Sequence, residues 1–147
     1  MIRIQNHIHI LVILLLTFGC TSMSNLYNAA SDGDLARVHV LIAANTDVNA
    51  RADKGATELI AASWKGHKEV VQALIDAKAD VNIKANYGYT ALMAASENGH
   101  QEVVQALIDA KADVNAKTTN GRTALIFASE NGHKEVVQLL KKAGAAD

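Results

Sequence analysis

Glycines recur at intervals of 33 residues along most of this 147-residue chain. One set is Gly55, Gly88 and Gly121, and a second set is Gly66, Gly99 and Gly132. Several copies at a period of this length indicate a solenoid, in which each copy buries its apolar face only by stacking on its neighbours. A weaker copy comes first. The predicted repeat domain spans 25–147, and its copies are 25–50 (an N-terminal cap), 51–83, 84–116 and 117–147.

Each copy carries the start and stop signals of two helices. A threonine hydroxyl can accept from the free N–H groups at the start of the first helix, and a left-handed glycine can end that helix. The second helix begins near the next histidine, and its E-V-V-Q pattern places apolar residues on one face. The chain is therefore predicted to be all-α. The predicted caps are Thr57, Thr90 and Thr123, and the predicted stops are Gly66, Gly99 and Gly132.

The copies resemble ankyrin repeats. The period, the G-H-x-E-V-V segments and the A-D-V-N segments all agree with that family over about residues 24 to 147. The resemblance implies a solenoid of stacked antiparallel helix pairs with projecting hairpin loops, which binds other proteins through its concave surface. One departure recurs, because the family's Thr-Pro-Leu-His helix start is replaced here by T-E-L-I, T-A-L-M and T-A-L-I.

The first nineteen residues differ in kind from the repeats. Arg3 is the only formal charge before Asp32, and residues 8–18 are apolar apart from His9 and Thr17. This apolar run is shorter than the roughly 20 residues that a membrane-spanning helix needs, so residues 1–19 are predicted to be a signal peptide. An uncleaved N-terminal anchor is the alternative.

Cys20, the only cysteine, directly follows this segment. The sequence L-T-F-G-C resembles the lipobox of bacterial lipoproteins, in which the cysteine is lipidated after cleavage. Thr17 departs from the commoner leucine, so a soluble periplasmic protein cleaved after Gly19 is the alternative. The resemblance implies lipidation at Cys20, a short linker over 20–24 and a lipid anchor facing the periplasm. By the same resemblance, Thr21 rather than Asp after the cysteine implies export to the outer membrane.

Chemistry-bearing motifs are absent from the repeats. A formal net charge of -1 gives no electrostatic case for nucleic acid. Equivalent residues of adjacent repeats are separated by about 8–10 Å, so His67, His100 and His133 are too far apart to share a zinc ion. No phosphate loop or copy-specific catalytic constellation occurs. We therefore predict no enzyme activity, no cofactor and no metal.

Binding residues are expected where otherwise similar copies diverge. Trp64, Tyr87 and Tyr89 are predicted anchors, because Trp, Tyr and Arg are enriched in interface hot spots. The predicted flanking residues are Lys54, Lys65, Asn86, Asn120 and Arg122. Chance drift of surface positions, with Trp64 covering a neighbouring helix, is the alternative. Tyr27 and Phe127 lie in apolar segments and are predicted to be core.

The predicted function is recognition of another protein in the periplasm or near an envelope membrane. By resemblance, this partner is a toxin that the protein neutralises or an envelope enzyme. An accessory protein that supports an envelope enzyme or a stress response is the alternative role.

Overall fold

The computed structural model describes residues 22–146, which form eight α-helices and no strand. Short 3-10 turns at Asp53–Gly55 and Asn86–Gly88 form the tips of two hairpin-like loops. The all-α prediction is confirmed. The helices are α1 (Ser22–Asp32), α2 (Leu35–Ala43), α3 (Glu58–Lys65), α4 (Lys68–Asp76), α5 (Ala91–Glu97), α6 (Gln101–Asp109), α7 (Ala124–Glu130) and α8 (Lys134–Lys142).

The helices pack in two rows. The first helix of each repeat contacts the first helix of the next, so α1, α3, α5 and α7 form one row. The second helices α2, α4, α6 and α8 form the other row, and each helix also packs on its partner within the repeat. Leu59, Leu92 and Leu125 recur in the first row, while Leu74, Leu107 and Leu140 recur in the second, and all six are buried. A continuous apolar core therefore runs between the rows, and the predicted solenoid is confirmed.

Local capping sets the bounds of the first helices. The hydroxyl oxygens of Thr57, Thr90 and Thr123 accept from the backbone N–H three residues later, at 3.4, 3.3 and 3.3 Å. At the other end the backbone turns left-handed, with φ of 77° at Gly66 and 72° at Gly99. These caps confirm the predicted starts and stops, and they explain why threonine and glycine recur in phase.

Each repeated histidine bonds to the preceding repeat. The Nε2 atoms of His67, His100 and His133 lie 3.0, 2.9 and 2.9 Å from the carbonyl oxygens of Ser31, Trp64 and Glu97. Because a carbonyl oxygen only accepts, the Nε2–H group of each ring donates. The rings lie so close to the left-handed glycine of the preceding repeat that a Cβ added to Gly66 would be 2.5 Å from Nδ1 of His100. Histidine therefore joins the repeats.

The A-D-V-N loops form a second set of joints. Within one loop, Asp80 Oδ1 accepts from the N–H of Asn82 at 2.9 Å, which closes the turn. Asn82 Oδ1 then accepts from the N–H of Asp113 in the next repeat at 2.8 Å. The same pair of bonds recurs one period earlier and one period later. The asparagine is therefore periodic because it links each loop to the next.

Some predictions fall outside the described residues. These are the signal peptide over 1–19, lipidation at Cys20 and the first two residues of the linker over 20–24. Helix α1 begins at Ser22, within that predicted linker. Within residues 22–146, no helix is long and apolar enough to cross a membrane.

Candidate functional site

Three aromatic rings from three successive repeats form a contact series, here called the aromatic row. The ring of Trp64 lies 6.3 Å from that of Tyr89 with a tilt of 51°. Tyr89 in turn meets Phe127 edge-on, with centroids 5.6 Å apart and planes at 86°. Tilted and edge-on pairs at these distances are favourable because the positive ring edge faces the negative ring face. The row therefore connects the last three repeats on the side of the first helices.

Polar side chains contact two rings of the aromatic row. The hydroxyl of Tyr89 donates to Glu97, and burial, followed by that hydrogen bond, raises the pKa of Tyr89. Tyr89 therefore stays a protonated donor. The guanidinium of Arg122 lies 4.0 Å from the ring centroid of Phe127 and also pairs with Glu130. Tyr89 and Arg122 thus already have partners within the chain.

Exposure is concentrated at one end of the aromatic row. Trp64 is 42% exposed, whereas Phe127 is 5% exposed, which confirms its predicted place in the core. Tyr89 is partly buried between them. The neighbouring Lys65 is exposed at the end of α3. Trp64 and Lys65 therefore form the accessible end of the row.

Tyr87 lies apart, at the tip of a hairpin-like loop. Its side chain is 78% exposed and its backbone is left-handed, with φ of 60°. Lys54 has φ of 61° at the equivalent tip. The tips touch through the backbone, because the N–H of Thr119 donates to the carbonyl of Tyr87 at 2.8 Å. The predicted site residues at the loop tips are Lys54, Asn86, Tyr87 and Asn120, and all four are exposed.

Two adjoining clefts open beside α1, and Tyr27 lines both of them. The larger, of about 480 Å³, is here called the acidic cleft, and its polar lining is Asn28, Arg51, Asp53 and Glu58. The smaller, of about 220 Å³, is lined by Ile60, Trp64 and Lys65 among others. The predicted core position of Tyr27 is therefore wrong in part, since Tyr27 is partly exposed in the first of the described helices.

Glu58 is the buried charge of this region. It is 2% exposed, and its Oε2 atom has no hydrogen-bond partner. Burial, with a smaller contribution from the charge of Asp47, raises its pKa from 4.5 to about 7. Glu58 is not among the site residues predicted from the sequence. The sequence does contain a signal for it, because the equivalent residues of the next two repeats are Ala91 and Ala124.

No three His, Cys, Asp or Glu side chains gather as metal ligands would, within the part of the chain that the structure describes. The family model of ankyrin repeats in three copies matches residues 4–85, 26–118 and 84–147. No match to a curated protein is found. Ankyrin repeats are protein-interaction modules, which agrees with an accessible Trp64 and Tyr87 on a rigid stack. The match spans nearly the whole chain, and the protein belongs to the ankyrin repeat family.

Proposed function

We propose that this protein is a non-enzymatic lipoprotein of the bacterial cell envelope that binds a periplasmic or membrane-proximal protein. The binding surface consists of Trp64 and Lys65 at the end of the aromatic row together with the hairpin tip at Tyr87. The observation that carries this proposal is Tyr87, a large aromatic side chain that is 78% exposed on a left-handed backbone.

Folding alone does not account for Tyr87. A left-handed conformation costs an L-residue about 1–2 kcal/mol, and glycine or asparagine avoids much of that cost. The equivalent Lys54 has the same left-handed backbone, with φ of 61°, so the loop imposes this conformation and the exposed aromatic ring is the feature particular to Tyr87. A tyrosine at this position therefore combines backbone strain with little burial, and strained residues with exposed aromatic rings are typical of binding sites.

Trp64 supports the same surface. Its ring packs on Tyr89 at one edge and remains 42% exposed. A ring fixed in this way loses little conformational entropy on binding, which favours its use as an anchor. Tyr89 and Arg122 have a different role in this proposal, because their intramolecular partners make them supports of the anchor.

The test begins with photo-cross-linking from position 87 in intact cells, which identifies the partner. Affinity for that partner is then measured for the wild type, Tyr87→Asn and Trp64→Ala. We expect each variant to weaken binding by about 2 kcal/mol, or roughly thirtyfold. The control is Val40→Ala, which removes a 58% exposed apolar side chain from α2, a helix of the second row, and should leave binding unchanged. Wild-type affinity in both site variants would reject the proposed surface.

The consequence of binding separates two roles. A partner that is a toxin or enzyme and loses activity in the complex indicates a neutralising protein of the immunity type. A partner enzyme that stays active indicates an accessory protein that supports it.

The envelope location rests on the sequence around Cys20. Stable anchoring requires more than one acyl chain, because each buried methylene contributes about 0.8 kcal/mol. Helix α1 begins at Ser22, so only Thr21 separates Cys20 from the first helix and the repeats would lie close to the bilayer. Metabolic labelling with a fatty-acid analogue should mark the wild type and not Cys20→Ala. Labelling of neither protein would favour the soluble periplasmic alternative.

A further inference from the structure

Glu58 departs from the repeat in a way that disfavours folding. Residues Ala91 and Ala124 fill the equivalent place in the next repeats and are buried. A carboxyl group at that place is removed from water, and its Oε2 atom gains no hydrogen bond in return. Buried polar atoms are nearly always paired, so an unpaired carboxylate oxygen requires an explanation. One explanation is a ligand that donates a hydrogen bond to this oxygen.

The acidic cleft has the chemistry for such a donor. Asp53 lines it together with Glu58, and Asp47 acts on Glu58 through its charge. Arg51 also lines the cleft, yet its Nη1 atom donates to the carbonyl of Lys84 in the next repeat at 2.9 Å. Arg51 is therefore positioned by another contact, and Glu58 retains an unpaired oxygen.

The neighbouring cleft extends this region toward the proposed binding surface. Tyr27 lines both clefts, and Trp64 and Ile60 line the second. A segment of a partner that places a side chain beside Glu58 can therefore also place an apolar side chain against Tyr27 and Trp64.

We propose that the acidic cleft binds an arginine or lysine side chain of the partner protein, and that the adjoining cleft takes an apolar residue beside it. This inference rests on the proposed function, since it assigns the chemistry of the segment that is recognised. A guanidinium or ammonium group donates several charge-assisted hydrogen bonds, which suits an unpaired carboxylate beside a second acid. The cation pairs with the ionised form of Glu58, so any proton that Glu58 carries passes to solvent on binding.

The test uses short peptides on the full chain in nonionic detergent micelles. The probe is acetyl-Leu-Arg-amide, and its matched control is acetyl-Leu-citrulline-amide, which keeps the shape of arginine without the charge. Binding is followed by NMR from the backbone amides of 50–53 and Glu58. We expect these amides to shift, and the citrulline peptide to bind at least tenfold more weakly.

Glu58→Ala is the informative variant. It installs the residue found in the neighbouring repeats, so it should fold. We expect it to reduce affinity for the arginine peptide at least tenfold and to remove the difference between the two peptides. Affinity of the wild type should also rise between pH 6 and pH 8 as Glu58 ionises, whereas affinity of the variant should stay flat. Equal binding of both peptides, or unchanged binding by Glu58→Ala, overturns the inference.

The two proposals fail separately. Absence of peptide binding, together with weakened partner binding in Tyr87→Asn and Trp64→Ala, rejects the cleft and keeps the protein-binding surface. Glu58-dependent peptide binding, together with wild-type partner affinity in both of those variants, rejects the surface and keeps the cleft as a site for cationic side chains.

Discussion

Replacing Gly99 with alanine tests how much the repeated histidines join the stack. Gly99 has φ of 72°, and a Cβ added there would lie 2.5 Å from Nδ1 of His133 and 2.7 Å from its Cε1 atom. The ring would have to move, and its hydrogen bond to the carbonyl of Glu97, now 2.9 Å long, would break. Gly132→Ala is a matched control, because Gly132 has φ of 75° and no atom within 4 Å of an added Cβ.

The difference between the two variants isolates the histidine contact. Left-handed strain costs about 1–2 kcal/mol in both, and therefore cancels. Loss of one hydrogen bond adds about 0.5–1.5 kcal/mol in Gly99→Ala alone, and displacement of a packed ring adds to that. We expect the free energy of unfolding to fall by about 2–4 kcal/mol for Gly99→Ala and by about 1–2 kcal/mol for Gly132→Ala.

Urea unfolding followed by far-UV circular dichroism measures both values. The double variant Gly99→Ala/His133→Ala completes the test, because without the ring the added methyl group has nothing to displace. Relative to His133→Ala alone, the added methyl group should then cost only the left-handed strain, as it does at Gly132. Equal destabilisation by Gly99→Ala and Gly132→Ala would refute the role given to the histidine.

Three further predictions concern single residues. Burial raises the pKa of Glu58 from 4.5 to about 7 in the folded chain, so folding takes up a proton between these pH values and stability falls as pH rises through 7. Glu58→Ala should therefore be up to about 3 kcal/mol more stable than the wild type at pH 8, and the difference should be much smaller at pH 4.5, as measured by urea unfolding at both pH values. Tyr87→Asn should stabilise the protein by about 1 kcal/mol in thermal unfolding, because asparagine tolerates the left-handed tip. Asn82→Ala should cost about 1–3 kcal/mol in urea unfolding, because the N–H of Asp113 loses its acceptor and the carbonyl of Lys111 its donor.

The repeat, the helix bounds and the caps could be predicted from the sequence because they depend on local chemistry. A threonine cap and a left-handed glycine act within one turn of their own helix, so their spacing reveals them. The joints between repeats could not be predicted in the same way. Asn82 and His100 recur at the period like any scaffold residue, and only the packed stack shows which backbone groups they reach.

The residues of the candidate site could be predicted from the sequence, but the contacts that their side chains make could not. Divergence between copies identified Trp64 and Tyr87, and both are exposed. It also identified Tyr89 and Arg122, although these bind Glu97 and Glu130 within their own repeats. Contacts of that kind depend on side-chain direction, which a comparison of copies does not contain.

The residues that stabilise the stack are those that recur in every copy, whereas the residues that we assign to binding differ between copies. The residues that recur every 33 positions make the contacts that hold the stack together, as His100 and Asn82 do. The residues that break the period include two that the stack would do better without. Glu58 buries an unpaired carboxylate oxygen where alanine serves elsewhere, and Tyr87 exposes a large ring on a left-handed backbone that asparagine would tolerate better. Mutations that destabilise tend to be removed unless function retains them. Glu58→Ala and Tyr87→Asn should therefore each increase stability and reduce binding together.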